Sequence, residues 1–514
     1  MLNKDINSSK LYKNVIDKEN HKPNVILITL DDFSYELYME NIDILPNLKA
    51  LKSQSVFFEN AFSIGPTTIF ALPGIIGNVY PYHFVIGIDK NIPTIATILK
   101  NEGYSTAFIN EANAFLTPLY GYGKNLDYQN HLLNISHEIK GRKFKDKFLR
   151  TEPFVPLNLP YLIKKWLYMH GNERFVKLAN YAYWVYKFLR LYLMHNENSF
   201  QERKRLFDAF LKDIFDFINH RFESPQFLWI HTVINHAPYF PPEESNRFTL
   251  KEIDFLNYRA LSDPFSRKIC RRTRDLYIES LKKTDQFIGE IFEALKKKEL
   301  TNNSIIIVTA DHGEEFKEEG FYGHTSESSS DRLLHVPLIF YWSKLTKRNL
   351  NVPVSTIDIV PTLCDLLNIK ISDSSKGMSL KALMLHESED LEKEQNLWQR
   401  PLFSEGWETE GIFDRNPGYQ NYRIIFTVRK GQYKLKVVRL QRSGNTVSEK
   451  LELNNWISHE RLDIKNNKLI VEELLYYLYE HIYKEGVFSS NLYENSEKQR
   501  IKRTLTRLRR GRVI

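Results

Sequence analysis

Four continuous apolar runs limit the folds open to this 514-residue chain. Each run has seven residues, rich in β-branched and aliphatic side chains, and they occupy positions 24–30, 227–233, 304–310 and 336–342. Runs of this kind are typical of strands buried on both faces of a sheet. Segments with helical spacing of apolar residues lie between them, at 92–104 and 274–300. The pattern predicts an α/β fold in which helices sandwich a mostly parallel central sheet.

Changes in composition predict the domain organisation. Strand and helix patterns alternate in the first three quarters of the chain. Two β-rich runs around a Lys-Gly-Gln turn follow, and these runs predict a small antiparallel β subdomain. The predicted parts are an N-terminal extension at 1–22, a catalytic domain at 23–385 with a basic, aromatic helical insert at 140–200, a C-terminal subdomain at 400–497 and a basic tail at 498–514.

The net charge of +8 is concentrated in the tail. Eight Lys or Arg residues and no acid lie between Lys498 and Arg512, so that residues 1–497 are formally neutral. Such a tail attracts acidic lipid headgroups, an acidic partner or nucleic acid, or it forms a solvated terminal helix. The insert interleaves cations with Trp and Tyr across 140–192, which suits peripheral membrane contact and also a helical lid. Nucleic acid is the least favoured partner, because only the tail indicates it.

Targeting signals are not evident in the sequence. The first 24 residues lack the apolar core of a signal peptide, and no stretch of 18 apolar residues occurs. We therefore expect a cytoplasmic protein, with at most a peripheral position at the inner face of the membrane. The two cysteines, Cys270 and Cys364, form no CxxC pair, and we expect both to be buried as small apolar residues.

Two polar pairs follow two of the apolar runs. Asp31-Asp32 follows the first run, and Asp311-His312 follows the run at 304–310. The carboxyl ends of parallel strands share one edge of a sheet, so these four side chains are expected to meet there. Either pair alone is more often found at a helix N-cap or in a loop than in a metal site. Together they predict one divalent cation, Ca²⁺, Mg²⁺ or Mn²⁺, with Zn²⁺ less favoured.

A candidate nucleophile lies in the loop that begins at Gly65. Thr67 and Thr68 precede a small-residue stretch with helical character. At a helix N-terminus, free amides and the helix dipole stabilise a phosphate or sulfate group. The alternative role for either threonine is to cap the helix.

The order of these motifs resembles the sulfatase/alkaline phosphatase superfamily over roughly residues 22–370. The matching segments are "LDD" at 30–32, "TIFALPGIIGNVYP" at 68–81, "IPTIATILKNEGYSTAFI" at 92–109, "HTVINHAPYFPP" at 231–242, "VTADHGEEFKEEGFYGH" at 308–324 and "STIDIVPTLCDLLNI" at 355–369. The resemblance implies an alkaline phosphatase-like catalytic domain and a metal-dependent hydrolase of anionic esters. Its metal ligands would be Asp31, Asp32, Asp311, His312 and Thr68.

The resemblance also implies roles for the remaining polar residues. Thr68 rather than Thr67 would attack phosphorus or sulfur, and a covalent ester would form. His324 would protonate the leaving oxygen and His236 would hold the oxyanion. We also expect Thr67 and Asn110 to contact the substrate, Asn110 as a neutral donor at a place where the chain departs from the family pattern. We interpret two further histidines, at positions 231 and 335, as structural.

Two departures from the family pattern narrow the function. Sulfatases of the formylglycine type carry Cys or Ser in "C/S-x-P-x-R", and this chain has a threonine there without the proline or arginine. "INEAN" replaces the usual "GK.H" after "GYSTA". We therefore expect phosphoesters to be better substrates than sulfate esters. One alternative is a phosphotransferase that moves a phosphate-linked headgroup onto a glycan or lipid at a membrane surface, and another is an inactive binding protein of the same fold.

Overall fold

A computed structural model describes most of the chain. The described residues are 22–81, 87–89, 91–111, 113, 115–117, 120–130, 199–260, 266–318, 320–326, 328–372, 374–385, 390–409, 422–442, 445–485 and 494–511. Nearly all of the N-terminal extension and of the insert predicted at 140–200 lie outside these residues. The predicted membrane or lid role of the insert is therefore not addressed by the structure.

An eight-stranded sheet forms the centre of the larger domain. Its strands, in chain order, are β1 (Asn24–Leu30), β2 (Val56–Phe62), β3 (Ser105–Asn110), β4 (Tyr128–Gln129), β5 (Gln226–Thr232), β6 (Ser304–Ala310), β7 (His335–Tyr341) and β8 (Arg348–Ser355). The spatial order is β4-β3-β5-β1-β6-β7-β2-β8. Strand β7 is antiparallel to both of its neighbours, and the other described pairings are parallel. The predicted mostly parallel α/β fold is confirmed.

Helices cover both faces of this sheet. The helices of the described chain are α1 (Tyr35–Glu40), α2 (Pro46–Ser53), α3 (Thr68–Gly77), α4 (Ile95–Asn101), α5 (Ser199–His220), α6 (Leu250–Ala260), α7 (Arg267–Lys297), α8 (Asp331–Leu334), α9 (Ile359–Leu366), α10 (Lys381–Met384), α11 (Asp390–Gln399), α12 (Lys468–Lys484) and α13 (Glu494–Gly511). Along β1, Ile26 and Ile28 pack into the core that contains α7, whereas Val25 and Leu27 pack into the core that contains α4 and α9. The strand is apolar throughout because both of its faces are buried.

A second sheet of five antiparallel strands stands beside the first. Its strands are β9 (Leu402–Thr409), β10 (Tyr422–Lys430), β11 (Tyr433–Arg442), β12 (Asn445–Asn455) and β13 (Glu460–Leu462), in the spatial order β13-β12-β11-β10-β9. Strands β10 and β11 form the hairpin expected from the sequence, and Gly431 in its turn has a φ of 55°. Helix α13 crosses the predicted boundary at residue 497 and buries Ile501 and Leu505 against this sheet and α12.

Two further observations concern the chain as a whole. None of the helices within the described ranges is long and apolar enough to cross a membrane. Cys270 and Cys364 form no disulfide, and both are buried.

Candidate metal-centred active site

The carboxyl ends of β1 and β6 bring the two predicted polar pairs together. Leu30 pairs with Ala310 in the parallel register, so Asp31 and Asp311 leave the sheet side by side. The amide of Asp311 donates to the Leu30 carbonyl at 3.3 Å, and that of Asp31 donates to Thr232 of β5 at 2.9 Å. Three neighbouring strands therefore fix the start of the site.

Asp31, Asp311 and His312 form a buried cluster. Nε2 of His312 lies 3.5 Å from Oδ1 of Asp31 and 3.7 Å from Oδ2 of Asp311. The three residues offer ligand atoms that all lie within 4.8 Å of one another. The hydroxyl of Thr68 joins them, 3.4 Å from Oδ1 of Asp31 and 3.2 Å from Nε2 of His312. Two carboxylates, an imidazole and a hydroxyl thus surround one point.

Thr68 is the first residue of α3, and Thr67 occupies the N-cap position before it. Thr67 has an extended backbone with a φ of −147°, but its side chain makes no capping hydrogen bond. Its hydroxyl oxygen is buried and has no hydrogen-bond partner in the described structure. Capping of α3 by the Thr67 side chain, the alternative left open by the sequence, is therefore wrong. The Thr68 hydroxyl contacts Asp31 and His312.

The carboxylate of Asp32 lies on the other side of the His312 ring from Asp31 and Asp311, against Nδ1 instead of Nε2. Asp32 has a φ of 59°, a left-handed conformation that is uncommon outside glycine. The hydroxyl of Tyr277 donates to its carbonyl at 2.7 Å and holds this turn. The carboxylate of Asp32 then faces His324, whose Nδ1 is 3.0 Å away, and His236, whose Nε2 is 4.0 Å away. It also lies 2.9 Å from Nδ1 of His312.

The four predicted ligands are therefore contiguous, and His312 contacts both Asp32 and the pair of Asp31 and Asp311. Asp32, His236 and His324 form a second set of residues able to hold a metal. Glu314 borders this set, with its Oε1 3.5 Å from Nδ1 of His324 and its Oε2 accepting a bond from Tyr239 at 3.2 Å. Sequence reasoning passed over Glu314, although it stands only two residues after His312 in the same loop.

The donor atoms fit a divalent cation. Both carboxylate oxygens of Asp32, Oδ2 of Asp311 and Oε1 of Glu314 are buried and accept no hydrogen bond from the described residues. A buried carboxylate oxygen without a donor is costly, and a cation satisfies it. The oxygen-rich set with one or two imidazoles suits the ions expected from the sequence, and it identifies none of them individually.

Burial and repulsion shape the protonation of the cluster. Burial raises the pKa of Asp311 to about 6, and the charges of Asp31 and Asp32 add to this effect against the attraction of His312. Burial also raises the pKa of Asp31, but a hydrogen bond with His231 and the nearby imidazoles outweigh burial and lower this pKa to about 2. Burial disfavours the charged form of His312, yet the carboxylates of Asp311 and Asp32 raise its pKa to about 9. Carboxylates this close to one another are stabilised by added positive charge.

The "INEAN" segment supplies a contact to Asp31 that was not predicted from the sequence, while the substrate contact predicted for Asn110 stays a prediction. Nδ2 of Asn113, not Asn110, donates to Oδ2 of Asp31 at 2.9 Å and lies 3.4 Å from Nε2 of His231. Asn110 instead exchanges two bonds with the backbone of Asn113, at 2.8 and 3.0 Å. Asn110 therefore supports the loop, and Asn113 touches the carboxylate. The sequence shows that both asparagines lie in the segment that replaces "GK.H", but it does not show which of them contacts Asp31.

The two histidines interpreted as structural have different surroundings. His231 is buried beside the site, where it contacts the Thr29 hydroxyl at 2.8 Å and lies 3.5 Å from Asp31. His335 stacks on Tyr35 with ring centroids 3.8 Å apart, and its Nε2 is 2.7 Å from the Glu59 carbonyl. His231 therefore contacts Asp31 at the edge of the site. His335, the first residue of β7, has a packing role against Tyr35.

Comparison with protein families explains this arrangement. The sulfatase family model matches residues 23–369. The chain belongs to the sulfatase family. The protein is accordingly an ester hydrolase, and divalent metal binding is general in the sulfatase family.

Known sulfatase-family proteins resemble this one over much of its length. Arylsulfatase K of Gallus gallus is 24% identical over 413 residues, which cover 73% of this chain and 68% of that protein. The ulvan-active sulfatase of Formosa agariphila is 23% identical over 402 residues, covering 75% and 70%. Among solved structures, the phosphonate monoester hydrolase SpPMH from Silicibacter pomeroyi aligns with a TM-score of 0.60 at 16% identity, covering 92% of this chain and 96% of that one, which shows a shared fold.

In this sulfatase-family protein, buried apolar residues occupy the two positions that hold proline and arginine in the formylglycine motif. Phe70, in the place of the motif proline, is buried and packs edge-on against Trp407 of β9, with centroids 4.2 Å apart. Leu72, in the place of the motif arginine, is fully buried in the sheet core. The start of α3 is therefore fixed by apolar contacts from both domains.

Proposed function

We propose that this protein is a metal-dependent hydrolase of phosphate or sulfate esters that uses Thr68 as its nucleophile. The observation that carries the proposal is the position of the Thr68 hydroxyl, at the N-terminus of α3 and within 3.4 Å of both Asp31 and His312. Thr67, one residue earlier, has no such partners, which supports the sequence register over its alternative.

The reaction would proceed through a covalent ester. Oγ1 of Thr68 forms a bond to phosphorus or sulfur in line with the departing alcohol, whose bond to that atom breaks. Asp31, Asp311, His312 and Thr68 would hold the cation. When bound there, a divalent cation offsets the charge of the substrate's non-bridging oxygens and lowers the pKa of the attacking hydroxyl. The free amides at the start of α3 stabilise the same oxygens.

His324 and His236 would serve the leaving group and the oxyanion. Burial opposes the charged form of His324, but Asp32 and Glu314 raise its pKa well above the usual range, which supports a proton donor at this position. His236 is half-exposed, with its ring 5.0 Å from that of His324, and would donate to a substrate oxygen. The Thr67 hydroxyl would add a further donor. Water then releases the bound group from Thr68.

Phosphoesters are the preferred substrates in this proposal. A threonine cannot be converted to formylglycine by the route that acts on cysteine or serine, and the solved phosphonate monoester hydrolase shares the fold. Sulfate esters are the second class, because the sequence relatives are named sulfatases. A glycan is the favoured carrier of the ester, given the ulvan-active relative. Transfer of a headgroup at a membrane surface and a cytoplasmic location stay predictions.

The test is an assay of metal-stripped protein refilled in turn with Ca²⁺, Mg²⁺, Mn²⁺ and Zn²⁺. Chromogenic phosphodiester, phosphomonoester, phosphonate monoester and sulfate ester substrates are compared, with Thr68→Ala and Thr67→Ala in parallel. Trapping of a phosphorylated or sulfated Thr68 peptide by mass spectrometry would support the covalent step. Turnover that survives in Thr68→Ala would overturn the proposal.

A further inference from the structure

Gly406 of the second domain lies between two loops of the active site. It is a buried residue of β9, the strand at the end of the second sheet that follows β10 in the spatial order. A Cβ atom at this position would lie 2.7 Å from the Ser326 carbonyl oxygen and 3.1 Å from Cγ of Pro66. Pro66 stands two residues before Thr68, and Ser326 stands two residues after His324. One residue therefore packs against both the loop of the nucleophile and the loop of the proposed proton donor.

Close packing explains why position 406 holds a glycine. A glycine inside a strand costs conformational entropy and adds no side-chain contact, so it often marks a place where another backbone approaches closely. Gly406 pairs with Ile425 within the ladder of β9 and β10. The backbone that approaches it is that of Ser326, whose carbonyl oxygen leaves no room for a Cβ atom. The glycine therefore determines how closely β9 approaches the two loops.

Neighbouring residues of β9 hold the nucleophile loop through hydrogen bonds. The amide of Glu405 donates to the Ile64 carbonyl at 2.7 Å. Oγ of Ser404 donates to the Ser63 carbonyl at 2.6 Å. Oγ of Ser63 in turn donates to the Gly65 carbonyl at 2.8 Å, within the same loop. The loop that leads into α3 is therefore attached to one strand of the second domain.

Strand β9 is itself anchored by helix α12. Nε2 of His481 in α12 lies 2.5 Å from Oε1 of Glu405, and both side chains are buried. The ring of His481 also stacks on that of Phe403, with centroids 4.1 Å apart. Contacts with α12 and with β10 thus make β9 a firm support for the loops that pack on it.

The proposed reaction depends on the separation of these two loops. Oγ1 of Thr68 lies 3.2 Å from Nε2 of His312, and the ring centroid of His324 lies 4.8 Å from that of His312. In an in-line displacement the leaving oxygen departs on the side opposite the nucleophile, so its proton donor must lie across the substrate from the attacking oxygen. A misplacement of about 1 Å can cost about 100-fold in rate.

We propose that Gly406 is a positioning residue that sets the distance between Thr68 and His324. The inference rests on the proposed function, and it adds that the second domain aligns the nucleophile with the proton donor. Gly406 acts on these two residues through Pro66 and Ser326, which it contacts.

The first test compares the full-length wild type with Gly406→Ala, which places a methyl group between the two loops. Gly289→Ala is the matched control, because a Cβ atom there would lie 2.7 Å from the side chain of Asn47, where α7 packs on α2. The measurement is kcat/KM for the phenyl and the 4-nitrophenyl ester of the acid that the wild type prefers. Phenol is the poorer leaving group, so its departure depends more on the proton donor.

In Gly406→Ala we expect kcat/KM to fall about 10-fold for the 4-nitrophenyl ester and about 100-fold for the phenyl ester. Partial unfolding would lower both values by the same factor, so the unequal loss is specific to misalignment. Gly289→Ala should lower Tm and keep the wild-type ratio of the two values. Equal losses for the two esters in Gly406→Ala would overturn the inference, and so would the same change of ratio in the control.

Ser404→Ala is a second variant for the case that Gly406→Ala does not fold. It removes the hydrogen bond to the Ser63 carbonyl. Its control is Ser55→Ala, which removes a buried 2.7 Å bond to the Leu51 carbonyl. Ser404→Ala should change the ratio of the two esters in the same direction by a smaller factor, and Ser55→Ala should leave it unchanged. A wild-type ratio in Ser404→Ala would overturn the inference.

Hydrogen exchange tests the same contact without any turnover. Peptides that cover residues 62–70 and 320–326 should exchange about 10-fold faster in Gly406→Ala than in the wild type and in Gly289→Ala. Unchanged exchange in both segments would overturn the inference. A wild type that hydrolyses none of the esters would contradict the proposed function, and the exchange rates would then decide by themselves whether Gly406 holds the two loops.

Discussion

The hydroxyl oxygen of Thr68 lies 3.2 Å from Nε2 of His312, although α3 and the loop after β6 are separated by more than 200 residues. Asp31, from a third segment, completes the contact at 3.4 Å. The adjacent Thr67 hydroxyl is buried, and no described residue forms a hydrogen bond with it. This asymmetry between two neighbouring threonines underlies the first prediction.

Thr68→Ala should reduce kcat/KM on the preferred ester by about 10³-fold or more, because it removes the attacking oxygen. Thr67→Ala should cost far less, since its hydroxyl contributes one donor at most. Steady-state kinetics on the purified variants measures both values, and circular dichroism controls for folding. Equal losses in the two variants would contradict the assignment of Thr68.

Metal removal should lower both activity and stability. A cation whose free concentration is 100 times its Kd stabilises the folded protein by about 2.7 kcal/mol. A chelator should therefore lower Tm, and adding the cation back should restore Tm. Asp311→Asn should weaken this effect by removing one charged ligand. Elemental analysis should find one cation per chain. Two per chain would show that Asp32, His236 and His324 also hold a metal, and His324 would then not be the proton donor.

Asn113→Ala should reduce kcat by about 10- to 100-fold, the range typical of residues that orient a metal ligand. The physical reason is its 2.9 Å bond to Oδ2 of Asp31, which sets the direction of that carboxylate. Calorimetric titration with the cation should show weaker binding in the same variant. Asn113→Asp should reduce kcat further than Asn113→Ala, because it places a second carboxylate next to that of Asp31. An unchanged cation affinity in Asn113→Ala would refute this role.

Asp331 joins the two domains through buried ion pairs with Arg429 and Lys434, the latter at 2.8 Å. Asp331→Asn removes the negative charge that both buried cations contact and should destabilise the protein by about 3 to 5 kcal/mol. Urea unfolding near pH 7 measures the difference. An exposed control, Asp43→Asn, should leave the unfolding curve unchanged.

The same ion pairs should make stability fall in acid. Burial opposes the charged form of Asp331, but Lys434 and Arg429 lower its pKa below the usual range. The unfolded carboxyl binds protons near pH 4 while the folded one does not, so this contribution is full above that pH and is lost as the pH falls toward the folded pKa. Wild type should lose more stability than Asp331→Asn between pH 5 and about pH 3. Parallel losses in the two proteins would count against the ion pairs.

Formylglycine chemistry should not be recoverable by a single change. Thr68→Cys supplies the modifiable residue, but Phe70 and Leu72 occupy the places of the motif proline and arginine and are buried in the core. Co-expression with a formylglycine-generating enzyme should therefore leave the cysteine unmodified in the intact-mass spectrum. Appearance of the aldehyde would show that the flanking residues do not prevent conversion.

The sequence by itself determined the class of fold and the meeting of two polar pairs. Strands that are apolar at every position indicate a sheet that is covered on both faces. The carboxyl ends of parallel strands lie at the same edge of such a sheet. Asp31 and Asp311 follow paired residues of neighbouring strands, so local patterns were enough to bring them together. The hairpin of β10 and β11 was equally local, because a glycine turn and two β-rich runs define it.

Only the tertiary structure decided how the site is arranged and supported. The left-handed turn at Asp32 is held by Tyr277 of a distant helix, and it turns that carboxylate toward Nδ1 of His312 and toward His324. Asn113 contacts Asp31 across 82 residues of sequence, and Trp407 contacts Phe70 because the second sheet docks there. These contacts depend on side-chain direction across long sequence separations. Periodicity and motif spacing carry no information about that direction.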